Sequence, residues 1–112
     1  FEGTDGYENG EQLRDFVYVG DIVKLNLWLL DHPEVSGIFN AGTGKCQSFN
    51  DVADAVIAFH GKGKKQYIPF PAHLKNAYQS FTEADLISLR EAGYGEEFVD
   101  VATGVRLYLE TL

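Results

Sequence analysis

The run Arg14-Asp15-Phe16-Val17-Tyr18-Val19-Gly20-Asp21 constrains this chain more than any other stretch of its 112 residues. Four consecutive apolar residues rich in valine and aromatic side chains read as a short strand buried on both faces. Gly20 and Asp21 then punctuate the chain, and Asp21 is placed to cap the following helix or to favour its positive end. That helix, Asp21 to about His32, carries Ile22, Val23, Leu25, Leu27, Trp28, Leu29 and Leu30, apolar nearly all round, and Pro33 stops it. Such a helix is expected to be deeply buried.

Periodicity keeps alternating along the rest of the chain. Ile38-Phe39-Asn40-Ala41 reads as a second strand ending in the turn Gly42-Thr43-Gly44. Ser48 with Asp51 makes a capping-box-like start, and Phe49, Val52, Ala53, Val56 and Ile57 follow at helical spacing up to His60, whose cation would suit a helix end. Gln66-Tyr67-Ile68 predicts a short strand closed by Pro69-Phe70-Pro71. Thr82 with Asp85 predicts a third helix reaching Ala92, with Gly93 as a left-handed C-cap. Asp100 introduces a last helix with Val101, Val105, Tyr108 and Leu112 on one face. The order strand, helix, strand, helix, strand, helix, helix predicts an α/β fold. Glu8 to Gln12 reads as a polar surface loop.

Composition bounds the function. With 45% hydrophobic and 13% aromatic residues the chain is a folded domain rather than a disordered segment. No apolar run approaches the roughly 20 residues that span a bilayer, and Phe1-Glu2-Gly3-Thr4 is no signal peptide, so a soluble, intracellular protein is expected. A net charge of −8 argues against nucleic acid or an anionic membrane as partner. The one basic run, Lys62-Gly63-Lys64-Lys65, reads as a solvated loop. Cys46 stands alone, which excludes an intramolecular disulfide and fits a reducing compartment with an inert thiol. His32, His60 and His73 lack metal-ligand spacing. The chain has no methionine and begins at phenylalanine, so it is expected to be a piece of something longer.

Few residues carry chemistry. Arg14, at the edge of the first strand, has the planar donor fork that suits phosphate or carboxylate, which makes it either a ligand clamp or the partner of a neighbouring carboxylate such as Asp15. Gly42-Thr43-Gly44-Lys45 stands between a strand and a helix, the context of a phosphate loop, but Gln47 replaces the third glycine of G-x-G-x-x-G, and a plain tight turn explains it equally. Glu83, Asp85, Glu96 and Glu97 read as surface and capping charges, and the Trp28 stripe as core. No serine, histidine and aspartate set stands out.

Arg14 to Asp21, and Gly37-Ile38-Phe39-Asn40-Ala41-Gly42-Thr43-Gly44 followed by Ser48-Phe49, resemble the C-terminal third of extended short-chain dehydrogenases/reductases acting on nucleotide sugars. Phe1-Glu2-Gly3-Thr4, Trp28, Tyr67-Ile68-Pro69-Phe70-Pro71, Leu74-Lys75, Tyr78-Gln79 and Phe81-Thr82 narrow the resemblance to epimerases of an ADP-activated heptose. The loop from Asp5 to Gln12 is longer than in that family, and Ala77 stands where a basic residue is expected. The resemblance implies a Rossmann-type enzyme whose C-terminal, substrate-binding portion, residues 1–112 here, contributes to the substrate-binding lobe and the last elements of the cofactor sheet. It implies NADP and the catalytic serine, tyrosine and lysine in the absent N-terminal part, a cytoplasmic lipopolysaccharide-core pathway, and a homo-oligomer. It places substrate contacts at Phe1, Glu2, Gly3 and Thr4 along the nucleotide diphosphate, at Arg14 on a phosphate oxygen, and at Tyr78, which the residues alone would assign to packing beside Phe81. It puts no catalytic, cofactor-binding or metal-binding residue in this chain. Another nucleotide-sugar epimerase or dehydratase, or a non-catalytic α/β binding module, stays open.

Overall fold

The computed structural model describes all 112 residues. Its elements are a short antiparallel ladder of β1 (Leu13–Arg14) and β2 (Gln47–Ser48), and four helices, α1 (Val19–Asp31), α2 (Phe49–His60), α3 (Ile87–Glu91) and α4 (Val101–Leu109). A 3-10 turn at Ala72–Leu74 separates α2 from α3. In the ladder Leu13 faces Ser48 and Arg14 faces Gln47.

Capping decides where the helices begin. At α2 the Ser48 hydroxyl accepts the Asp51 N–H at 3.0 Å while the Asp51 carboxylate accepts the Ser48 N–H at 2.9 Å, the reciprocal pair its sequence predicts. His60 is its last residue. Asp100 accepts the Thr103 N–H at the start of α4, and the Gln47 side-chain oxygen takes the Val101 N–H at 2.9 Å, so two otherwise orphaned donors are satisfied. α2 and α4 pack on each other.

The core is small. Leu25 of α1, Leu89 of α3, Tyr94 and Phe98 are buried together, with Ile22, Trp28, Leu29, Phe39 and Leu86 packed against them. Asp21 does not cap α1, which starts at Val19 with Tyr18 in the cap position and no side-chain bond there. Its carboxylate is buried and accepts the Val99 N–H at 2.8 Å, which joins α1 to the segment entering α4.

Several sequence expectations are corrected here. Phe16–Val19, Ile38–Ala41 and Gln66–Ile68 are not laddered strands, because a strand exists only where a neighbour accepts its backbone bonds, and this chain supplies a single such bond, Glu2 N–H to Ile68 O at 2.8 Å. α1 is not deeply buried: Val19, Val23, Leu27 and Leu30 form an exposed stripe, and Ile38 is 99% exposed beyond it. The third helix starts at Ile87, not Thr82. The Thr82 hydroxyl accepts the Asp15 N–H instead, and Asp85 accepts the N–H of Ile87 in a local turn. Gly93 does take a positive φ, 110°, just past α3. The last helix stops at Leu109, leaving Leu112 exposed. Glu8–Gln12 is no simple surface loop, since Gly10 and Gln12 are buried.

The exposed stripe matches the shape. The radius of gyration is 16.5 Å against about 13 Å for a compact domain of this length. The accessible surface, 7552 Å², is about a fifth above that of a folded monomer of this mass. No helix is long and apolar enough to cross a membrane.

Candidate ligand-binding site

Arg14 leaves the end of β1 half-buried and meets no carboxylate. One terminal nitrogen donates to its neighbour's carbonyl, Leu13 O, at 2.8 Å, and the guanidinium carbon lies 4.8 Å from the Tyr78 ring centre and 5.8 Å from that of Phe49. Stacking on a ring face holds a guanidinium by about 0.5–1 kcal/mol at exposed sites while leaving its edge donors free. Of the two roles open to Arg14 in the sequence, pairing with Asp15 is not the one adopted.

Tyr78 also meets Phe1 (5.9 Å) and Phe70 (5.1 Å), and Phe1 meets Phe70 (5.3 Å), all edge-to-face. Aromatic packing therefore does occur at Tyr78, but with Phe1 and Phe70. Arg14, Tyr78 and Phe1 are thus gathered on one side of the chain from its start, its first strand and the segment after the 3-10 turn.

The Phe1–Thr4 segment is held by its backbone. Gly10 N–H donates to Phe1 O at 3.0 Å, Glu2 N–H to Ile68 O, and Gly3 N–H to the Asn9 side chain at 2.8 Å. A Cβ at Gly3 would strike the Tyr7 carbonyl, so glycine is required there. Gln12, 1% exposed, donates its side-chain amide to Glu2 O at 3.0 Å. Asn50 on the first turn of α2 donates to Asn9 O and Glu11 and accepts from the Tyr67 hydroxyl at 2.7 Å. Gly10, at φ 70°, packs directly on Asn50, where a Cβ would clash. Gln12, Asn50 and Tyr67 escape the sequence reading because each works through one bond to a residue distant in the chain, with no periodic signal.

The glycine turn is not free to take a phosphate. Three of its donors, Thr43 N–H (2.8 Å), the Thr43 hydroxyl (2.6 Å) and Gly44 N–H (2.9 Å), go to the Asp15 carboxylate, which also accepts Ala84 N–H at 3.0 Å, and Lys45 N–H goes to the Thr43 hydroxyl oxygen at 3.0 Å. Partial burial would raise the Asp15 pKa, but these bonds, led by the Thr43 hydroxyl, outweigh it and hold the carboxyl below its ordinary value. The turn is a tight turn closed by an internal anion. Burial and the neighbouring Glu83 push the Cys46 thiol up, away from reactivity. No group of three or more His, Cys, Asp or Glu residues stands together as a metal site.

Residues 4–42 match the model of the NAD dependent epimerase/dehydratase family. Over all of its length the chain is 61% identical to ADP-L-glycero-D-manno-heptose-6-epimerase of Alkalilimnicola ehrlichii, covering 35% of that protein. It superposes on the solved structure of TunA, a NAD dependent NDP-hexosamine 5,6-dehydratase involved in tunicamycin biosynthesis, with TM-score 0.64 and 29% identity, covering 98% of this chain and 33% of that one. It also superposes on UDP-N-acetylglucosamine 4-epimerase from Methanobrevibacter ruminantium M1 with TM-score 0.69 and 21% identity, over 95% of this chain and 34% of that one, a likeness of fold alone. The helices and small ladder are accordingly part of an α/β, Rossmann-type fold, and the chain spans about a third of the length of each of these three proteins.

Proposed function

We propose that this chain, of the NAD dependent epimerase/dehydratase family over residues 4–42, is the C-terminal, substrate-binding portion of an ADP-L-glycero-D-manno-heptose 6-epimerase. The observation that carries the reading is the meeting of Arg14, Tyr78 and Phe1 at one site, with the Arg14 guanidinium unpaired by any carboxylate, in a chain 61% identical to a protein of that name. The complete enzyme would invert C6 of ADP-D-glycero-D-manno-heptose to the L-glycero form for lipopolysaccharide core synthesis in the cytoplasm.

In this reading Arg14 binds a diphosphate oxygen through its free edge, with Tyr78 behind it as a platform and a second substrate contact. Phe1, Glu2, Gly3 and Thr4 line the nucleotide diphosphate. Because the N–H groups of Glu2 and Gly3 are already engaged, the segment offers substrate its side chains, Thr4 and its fixed path rather than a row of free amides. NADP would supply reversible oxidation of the reacting carbon, but in the turn Gly42-Thr43-Gly44-Lys45, which stands where a phosphate loop would, the Thr43 and Gly44 N–H groups are taken by Asp15. The turn does not fit that role, and the family resemblance places the cofactor and the catalytic serine, tyrosine and lysine in the N-terminal portion of such enzymes. The unpaired extended segments Phe16–Tyr18 and Ile38–Ala41, with the exposed α1 stripe, support assigning these elements to the cofactor sheet of the complete enzyme. A homo-oligomer is proposed for that enzyme.

The test is turnover of ADP-D-glycero-D-manno-heptose by the intact enzyme carrying this chain, followed by NMR at C6, with the released nicotinamide cofactor identified by mass. Epimerisation with NADP is the expected result, and no turnover by the 112-residue chain alone. Conversion of an NDP-hexosamine in place of the heptose would favour a dehydratase of the kind that TunA represents.

A further inference from the structure

We propose that Asp15 is the positioning residue of this site: one carboxylate binds both the glycine turn and the segment following Tyr78, and so sets where Arg14 stands against the Tyr78 ring. The proposal rests on the reading of Arg14 and Tyr78 as a ligand-binding pair.

The segment after Tyr78 runs beside the first strand, joined to it by backbone bonds at Leu13. Leu13 N–H donates to Ser80 O at 2.8 Å, Thr82 N–H to Leu13 O at 3.2 Å, and Asp15 N–H to the Thr82 hydroxyl at 3.4 Å. The last tie is the Asp15 carboxylate, which accepts Ala84 N–H at 3.0 Å. Arg14 sits between the first and last of these ties, and Tyr78 lies two residues before Ser80, so the register of this zip fixes the distance between guanidinium and ring. The same carboxylate holds Thr43 and Gly44, whose turn leads into β2, the strand on the other side of Arg14. Asp15 is therefore the point at which both flanks of Arg14 are joined. The cation–ring contact is too weak to set that geometry by itself, because its strength is comparable to thermal energy.

Asparagine at this position keeps the shape but turns an N–H₂ group toward donors, so at least one of the four bonds is lost. In the intact enzyme, with arginine selectively labelled, the Arg14 side-chain protons over Tyr78 should be shifted upfield by the ring, an effect identified by its loss in Tyr78→Leu. Asp15→Asn should abolish more than half of that shift while the Leu89 and Tyr94 core signals persist, and Thr43→Val, which removes one donor, should do the same to a smaller extent. In the intact enzyme Asp15→Asn should weaken ADP-heptose binding about tenfold, and should add little in an Arg14→Ala background because the two act through one contact. Unchanged Arg14 signals in both variants, or an equal loss of affinity with and without Arg14, would overturn the proposal. If the wild-type enzyme binds no ADP-heptose, the functional reading fails, and the proton shifts still decide whether Asp15 positions Arg14.

Discussion

The Arg14 guanidinium carbon stands 4.8 Å from the centre of the Tyr78 ring, and no carboxylate stands between them or beside them. An arginine held by an aromatic face keeps its planar fork presented, whereas one neutralised by an aspartate would have spent it. Asp15, the nearest acidic neighbour in sequence, is turned instead to the turn at Thr43 and Gly44. These two adjacent charges are thereby committed to different partners, and Arg14 is left as a cation with no carboxylate partner in a chain of net charge −8.

The exposed stripe of α1 predicts self-association. Val19, Val23, Leu27 and Leu30 are 60%, 50%, 56% and 74% exposed on one helix face, a contiguous apolar patch of the sort isolated monomers avoid. The 112-residue chain should bind an apolar dye and sediment as more than a monomer at high concentration. Leu27→Lys with Leu30→Glu should suppress both while leaving the helical circular dichroism unchanged. A wild-type chain that stays monomeric and binds no dye would contradict the prediction.

Ser48→Ala removes the acceptor of the α2 capping box at a residue that is buried. The expected cost is about 1–2 kcal/mol, the upper half of the range for N-caps, because the reciprocal bond that the Ser48 N–H donates to the Asp51 carboxylate is weakened as well. Urea unfolding should show a lower midpoint with an unchanged slope.

Acid should destabilise the chain through Asp15 and Asp100. Burial acts to raise the Asp15 pKa, yet the bonds from Thr43, Ala84 and Gly44 leave it lowered, and the Asp100 pKa is lowered by its bonds to Thr103. A carboxyl more acidic in the folded than in the unfolded chain contributes stability that is complete above the unfolded value, about pH 4, and is lost as the pH falls through the folded value. Thermal melts between pH 6 and pH 2 should therefore fall most steeply below about pH 4. Asp15→Asn should flatten that limb.

What the sequence disclosed was local. The Ser48–Asp51 box, the Asp100 cap and the end of α2 at His60 follow from side chains within four residues of the backbone groups they satisfy, and these stand as expected. What it concealed was pairing across distance. Phe16–Val19 and Ile38–Ala41 have strand composition but no strand partner within this chain, and Thr82 abandons a cap because Asp15 lies beside it. At the site, the donor fork of Arg14 was legible from residue type and position at a strand edge. The roles of Gln12, Asn50 and Asp15 were not, because each depends on a contact between segments that only the fold brings together.

The most direct measurement is calorimetric titration of the intact enzyme with ADP-heptose, wild type against Arg14→Ala. A charge-assisted bond from Arg14 to the diphosphate predicts a loss of about 1.5–3 kcal/mol, roughly 10- to 150-fold in affinity, with NADP content and folding preserved. Arg14→Lys should recover only part of it, since charge is kept and the bidentate fork is lost. Affinity unchanged in Arg14→Ala, or a variant that no longer folds, would contradict the central claim and make Arg14 a structural residue of the Tyr78 cluster.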